Sequence, residues 1–411
     1  AGCGVGWGGH AGAVAAPPLR RGIVLGKPLG MVLILDWSVL VIFALLVLHL
    51  GGGVFPSWHP DWPPALAWGI GAAAAIVFLA SIVAHELAHS LVGRRYGIRV
   101  RSITLFLFGG VASLENEPPS ARAEFWMALA GPAASLALGV VFLVVGGWLA
   151  GDPQGADPLT FASHLGPAAS VLAWVGPVNL IIAVFNMIPG FPLDGGRVLR
   201  ALLWKLSGDL VQATRAASWV GRAIAWLMIF GGVAAAMGAP PPGLAPGIGQ
   251  GLWFIFLGFF LSNASRDSYR QVVVEQALSG VRVGRLMSRS PAVVGPELPV
   301  GALVDAYLLG SDARAFPVID GGGRLLGIVC LDDVRAVPRE RWASATVGEV
   351  MTRAEALVTV GPEEAATAAL RALAQKDVGQ LPVVEGGRLV GLLRRQDLVR
   401  WLELHADSLA G

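Results

Sequence analysis

His85, Glu86 and His89 stand in the run His85-Glu-Leu-Ala-His89, the pattern H-E-x-x-H. Residues four apart on an α-helix lie one turn apart, so both imidazoles face the same way and can ligate one Zn²⁺, while the neighbouring carboxylate can take a proton from a water. That is the chemistry of metal-assisted hydrolysis. The run sits inside Ala65 to Val92, a stretch otherwise almost wholly apolar and long enough to cross a bilayer. An ionisable side chain in a spanning helix costs about 2.5–3.5 kcal/mol on insertion scales, and His85, Glu86 and His89 are the only ones between Ala65 and Val92. Three at one spot imply function, and the function they point to is hydrolysis at membrane depth.

The elements that would position this cluster are mostly apolar helices. The chain has 411 residues, 55% hydrophobic and 14% charged, with mean hydropathy +0.64, which marks an integral membrane protein. Charge is segregated: residues 1–265 carry 13 Lys/Arg and 10 Asp/Glu, residues 266–411 carry 17 and 18. The last third therefore reads as soluble. Apolar runs of spanning length fall near 36–50, 65–92, 124–150, 168–188, 213–237 and 247–264, which predicts about six transmembrane helices, the first of them short. Arg20, Arg21 and Lys27 precede the first run, Arg94, Arg95, Arg99 and Arg101 follow the second, and Arg197, Arg200 and Lys205 follow the fourth. By the positive-inside rule these loops, and with them both termini, are cytoplasmic, while Asp61, Asp152, Asp157 and the Pro-rich 240–246 lie outside. The net charge is only +2, and no basic stripe interleaved with aromatics occurs, which argues against nucleic-acid binding. Two cysteines, Cys3 and Cys330, are too few for a disulfide framework. Residues 1–20 read as a disordered Gly/Ala-rich leader without the charged start of a signal peptide. The 27 Arg against 3 Lys point to a GC-rich bacterial genome.

Between the second and third runs, Ile98 to Leu114 is β-prone and contains Gly109 and Gly110. It reads either as an interfacial loop or as a hairpin at membrane level, which would have to line a cavity. His49, His59, His164 and His405 lack companions at ligand spacing and read as interfacial or surface residues. Trp58, Trp62 and Trp68 read as bilayer anchors.

A catalytic zinc takes three protein ligands, so two histidines need a partner from elsewhere. The fourth run ends in Asn186-Met-Ile-Pro-Gly-Phe-Pro-Leu-Asp-Gly195. This closely resembles the second signature of the site-2 protease family, an Asn-x-x-Pro run closing in Leu-Asp-Gly, and the resemblance extends over residues 20–265. It implies that Asp194 is the third ligand, Glu86 the general base, and Asn186 a polar group near the substrate. For Asn186 the alternative is interhelical hydrogen bonding. Pro189 and Pro192 break the helix, and Gly195 and Gly196 permit the close turn that brings the carboxylate in. Gly131-Pro132, also found in the family, reads as a kink with close packing.

Behind the membrane part lies an internal repeat at an offset of 64 to 65 residues: Leu286-Met-Ser-Arg289 with Val350-Met-Thr-Arg353, and Phe316-Pro-Val-Ile-Asp320 with Leu381-Pro-Val-Val-Glu385. Short apolar strands, glycine turns and amphipathic helices alternate in each unit, a pattern that resembles a tandem pair of CBS domains. CBS domains that bind adenine nucleotides usually place Ser or Thr three residues before a ribose-binding Asp. Here Cys330 and Arg394 precede Asp333 and Asp397, which argues against tight nucleotide binding.

The sequence thus predicts a polytopic α-helical membrane protein followed by a cytoplasmic α/β CBS domain pair. Its divisions are a leader at 1–20, a transmembrane core at 21–265, a linker at 266–281, and CBS domains at 282–342 and 343–405. The resemblance implies an intramembrane zinc metalloprotease with one Zn²⁺ per subunit, engaged in regulated intramembrane proteolysis near the cytoplasmic face of the cell membrane. Its partners would be the lipid bilayer and a membrane-protein substrate with a transmembrane segment, held by β-augmentation at Gly109 and Gly110. A CBS-mediated homodimer and a small-molecule effector would be added by the pair. The rival reading is a CBS-gated transporter or channel, for which the spans lack a path of further charges.

Overall fold

In this computed structural model the described residues are 22–106, 109–114, 118–151, 161–242, 246–309 and 313–405. The predicted leader and the external Asp152 and Asp157 lie outside them. The chain divides after Arg270 into two compact units.

The first unit contains the helices α1 (Trp37–Trp58), α2 (Pro64–Arg95), α3 (Ala121–Ala150), α4 (Pro167–Asn186), α5 (Asp194–Ser207), α6 (Leu210–Ala236) and the greater part of α7 (Ile248–Leu278), whose last turns lie beyond Arg270. All but α5 are long and apolar enough to cross a membrane, so the six predicted spans are present. The first is longer than predicted because Gly51 to Gly53 do not end it. Residues Leu50–Val54 form a π-helical turn there, and Gly51 lets the turn press against α2, where a Cβ on Gly71 would fall 2.8 Å from the Gly51 nitrogen.

Four strands pack beside these helices in the order β1 (Gly22–Gly26), β2 (Val32–Asp36), β3 (Val100–Phe106), β4 (Gly109–Leu114). The stretch from Ile98 to Leu114 is thus a hairpin rather than a loop, with Phe106 opposite Gly109 and Leu105 opposite Gly110. β2 pairs with β3 in parallel and with β1 antiparallel. Met31 just ahead of β2, with Leu33, Val100, Ile103 and Leu105 of this sheet, forms a core against Leu79, Ile82, Val83 and Leu87 of α2. One face of α2 is thereby committed to the sheet, leaving another for chemistry.

At the far end of the core the surface reading of His59 is overturned. It is buried, with Nε2 2.8 Å from Ser170 Oγ and its ring stacked on Trp62 at 3.8 Å. Trp62 and the start of α4 cover it, and burial lowers its pKa below the ordinary histidine value. Trp58 and Trp62 accordingly pack around Phe55.

The second unit holds the two repeats. β5 (Ala315–Ile319) and β6 (Leu325–Cys330) pair antiparallel, with the short β7 (Thr352–Arg353) beside β6, and α8 (Leu331–Arg335) follows. In the second repeat α9 (Ala366–Lys376) precedes the antiparallel pair β8 (Gln380–Glu385) and β9 (Arg388–Arg394), with α10 (Arg395–Leu404) last. Each repeat has its own apolar core, around Val300, Phe316 and Val329 in the first and Leu373, Leu381 and Leu393 in the second. This is the α/β pair that the repeat predicts.

Candidate metal centre

α2 begins at Pro64, where a missing N–H costs nothing, and ends where Gly97 takes a left-handed φ of 78°. No proline interrupts it, so His85 and His89 stand one turn apart, and both are buried. α5 supplies the third group. A Cβ on Gly195 would fall 2.4 Å from the Met187 carbonyl, and one on Gly196 2.4 Å from the Phe191 nitrogen. Only glycine lets α5 start this close to the chain leaving α4, which is the close turn the sequence predicts.

The three side chains converge. His85 Nε2 and His89 Nε2 are 3.1 Å apart, and Asp194 Oδ2 lies 3.2 Å from each. Three ligands of a tetrahedral zinc with bonds of about 2.0–2.1 Å stand about 3.3–3.4 Å from one another. The observed triangle is close to that requirement. Two imidazoles and one carboxylate, with no fourth group joining them among the described residues, form the donor set of a catalytic rather than a structural zinc site.

The far sides of both imidazoles are held by α3. His89 Nδ1 donates to the Met127 carbonyl at 2.6 Å; a carbonyl only accepts, so Nδ1 carries the proton and the Nε2 lone pair faces the site. His85 Nδ1 lies 2.9 Å from Ser135 Oγ. Between them on α3 is Gly131, where a Cβ would fall 2.1 Å from His89 Nε2 and 2.6 Å from His85 Nε2. The packing that Gly131-Pro132 predicts is therefore packing against the ligand atoms themselves. Sequence reasoning missed Met127 and Ser135, which carry no motif; the helical spacing of Gly131 and Ser135 was the available signal.

Glu86 lies about 100° round the helix from His85 and meets the sheet: a Cβ on Gly110 would fall 2.3 Å from Glu86 Cγ. β4, an edge strand paired only with β3 among the described residues, therefore runs with its bare backbone across Glu86. Gly109 takes a φ of 129° at the end of this strand. Asn186 is the last residue of α4 and half-buried, and its side chain makes no hydrogen bond among the described residues. The structure thus brings together His85, His89, Asp194, Glu86 and Gly110, and no contact joins Asn186 to them among the described residues.

Known proteins share this arrangement of parts. The profile of Peptidase family M50 matches residues 73–169 and 154–230, and that of the CBS domain matches 283–340 and 347–404. The chain is 36% identical over 390 residues to "Putative zinc metalloprotease Rip3" of Mycobacterium tuberculosis, covering 94% of each. It is 32% identical over 392 residues to a protein of the same description, sll0528 of Synechocystis, covering 94% of this chain and 97% of that one. Among solved structures, the site-2 protease from Methanocaldococcus jannaschii is 25% identical, with 61% of this chain and 95% of that chain covered and a TM-score of 0.39. On the strength of the two full-length relatives, this chain belongs to peptidase family M50, as a multi-pass membrane metalloprotease with a C-terminal CBS domain pair.

Proposed function

We propose that this protein is an intramembrane zinc metalloprotease that hydrolyses peptide bonds in or beside a substrate's transmembrane segment. The observation that carries the reading is the near-equilateral triangle of His85, His89 and Asp194 at 3.1–3.2 Å, buried among membrane-spanning helices. These three residues would hold zinc, which when bound would supply an acidified water and a polarised carbonyl. Glu86 takes the proton of the attacking water and returns it to the amine as the C–N bond breaks. Met127 and Ser135 keep the two imidazoles turned inward. A substrate helix must unwind before its carbonyl is accessible, and β4, the last strand of the sheet among the described residues, offers an edge at Gly109 and Gly110 for it to pair with. Asn186, half-buried at the end of α4, would contact the unwound segment.

The core at 21–265 does the chemistry, and the CBS domains at 282–342 and 343–405 regulate it, alone or as a dimer, in response to a small effector. In support, α7 runs unbroken through the linker at 266–281 as far as Leu278, which is buried in the second repeat's core. The flanking Lys and Arg residues favour cytoplasmic termini and a cytoplasmic site, in a bacterial cell membrane, where cleavage would release a signalling precursor. The test is cleavage of a single-span substrate by purified protein in liposomes, with products mapped by mass spectrometry. Zinc-dependent cuts in or next to the span are expected; cuts confined to soluble regions, or cuts unaffected by Glu86→Gln, would overturn the proposal.

A further inference from the structure

α5 carries Asp194 but, at 14 residues, is not long and apolar enough to cross a membrane. Something else must hold it. Six residues beyond Asp194, Arg200 is buried at 5% exposed, and its Nε donates to Glu124 Oε1 at 2.6 Å with a second bond from Nη2 to the same oxygen. Glu124, in the first turn of α3, is 0% exposed. Arg197 Nε reaches the same oxygen at 3.8 Å, and the Arg200 guanidinium lies 5.2 Å over the ring of Phe191 in the segment that leads into α5.

We propose that Glu124 and Arg200 are positioning residues that set the depth and rotation of α5 so that Asp194 meets both imidazoles. The inference rests on Asp194 being a metal ligand. Along α3, Glu124, Met127, Gly131 and Ser135 follow at spacings of three, four and four, one stripe of the helix. Met127 holds His89, Gly131 clears both ligand nitrogens, and Ser135 meets His85. Glu124 ties the third ligand's helix to that same stripe, so α3 is the template against which all three ligands are registered. Little tolerance is available: a carboxylate about 5 Å from a helix axis moves about 1.7 Å when the helix turns by about 20°, whereas a site of this kind needs placement within about 0.5 Å. A buried ion pair is a poor device for stability alone, since well-packed apolar residues often serve as well. Its two-pronged, directional geometry is a good device for register.

The test uses the full chain in detergent, with zinc affinity measured by competition with a chromophoric chelator and thermal unfolding of the metal-free form measured alongside. Arg200→Met is expected to weaken zinc binding by about ten- to a hundredfold, the usual cost of removing a group that orients a ligand. Arg200→Lys, which keeps the charge and loses the fork, should fall between. The double variant Glu124→Gln with Arg200→Met removes both buried charges of the pair. Unfolding of the metal-free form should return to the wild-type temperature while zinc affinity stays low. If Arg200→Met does not fold, the double variant and Arg200→Lys carry the comparison. A double variant that binds zinc as tightly as wild type would show that the pair only neutralises itself and would overturn the inference alone. A wild type that holds no zinc would overturn the metal centre and this inference with it.

Discussion

Aspartates stand at helix starts in both regions of this chain: Asp36 and Asp209 of the first unit accept from N–H groups of their own first turns, and Asp194 departs from them as it does from the pair in the repeats. In the C-terminal repeats, Asp333 accepts from the Cys330 backbone N–H at 2.9 Å, and Asp397 accepts from the Arg394 N–H at 2.9 Å and from its guanidinium at 3.0 and 3.1 Å. Both carboxylates close a local turn, the ordinary use of an acid at a helix start. Asp194, the first residue of α5, instead reaches across 109 residues of sequence to His85. A carboxylate spent on imidazoles in a membrane core gains no capping from it, so its placement must be enforced from outside. The lesson is that the same residue at the same kind of position is structural where its partners are local and chemical where they are distant.

The sharpest way to break this contrast is to invade the space the distant partners share. Gly131→Ala should abolish stoichiometric zinc, because the new methyl carbon would stand 2.1 Å from His89 Nε2, and cleavage should fall by about a thousandfold or more. Gly147, also on α3 but with open space around its Cβ position, is the control. Elemental analysis that finds full zinc in Gly131→Ala would mean that the triangle is not the metal site.

A change in chemistry without a change in packing comes next. Glu86→Gln keeps size and should retain zinc, while hydrolysis drops by about 10²–10⁴-fold, the usual contribution of a general base. Loss of zinc in this variant would make Glu86 a ligand or a structural group instead. Milder still is Ser135→Ala, which removes the partner of His85 Nδ1 at 2.9 Å. Chelator competition should show zinc affinity lower by about ten- to a hundredfold, and equal affinity would remove Ser135 from the support of the site.

How far these features were legible before folding depends on whether they have a local signature. The six spans were visible because a bilayer demands about 20 apolar residues in a row, and His85, Glu86 and His89 because a helix fixes their mutual placement within five residues. Asp194 was found only by resemblance, since nothing local says that an acid after Pro192 will turn toward α2. β1 and β2 were not foreseen, although Ile23-Val-Leu25 and Val32-Leu-Ile-Leu35 between glycines and Pro28 are a strand signal; proximity to the first span hid it. α5 is hidden in the same way, because Arg197, Arg200 and Lys205 after the fourth span have the character of a charged loop. The buried partnership of Glu124 and Arg200 lies 76 residues apart in sequence, and helix packing alone creates it.

The contrast is finest at the second repeat, where one substitution separates a closed turn from an available acid. Arg394 grips Asp397 with both its Nε and a terminal nitrogen, at 3.1 and 3.0 Å. Nucleotide-binding CBS domains leave this acid for a ribose, so the native chain should bind AMP weakly or not at all. Replacing Arg394 by Thr frees the acid and supplies a hydroxyl at the position where the resemblance places one. The gain is bounded, because the Arg394 side chain is 35% exposed and a solvent-screened pair of this kind contributes only about 0.2–1 kcal/mol. Releasing it should therefore raise AMP affinity by no more than about fivefold, apart from what the new hydroxyl adds. Calorimetry on the full chain and on Arg394→Thr measures the difference. Tight AMP binding by the native chain, with Arg394 in place, would show that this acid is not withheld and that the contrast between the two regions does not extend to the second repeat.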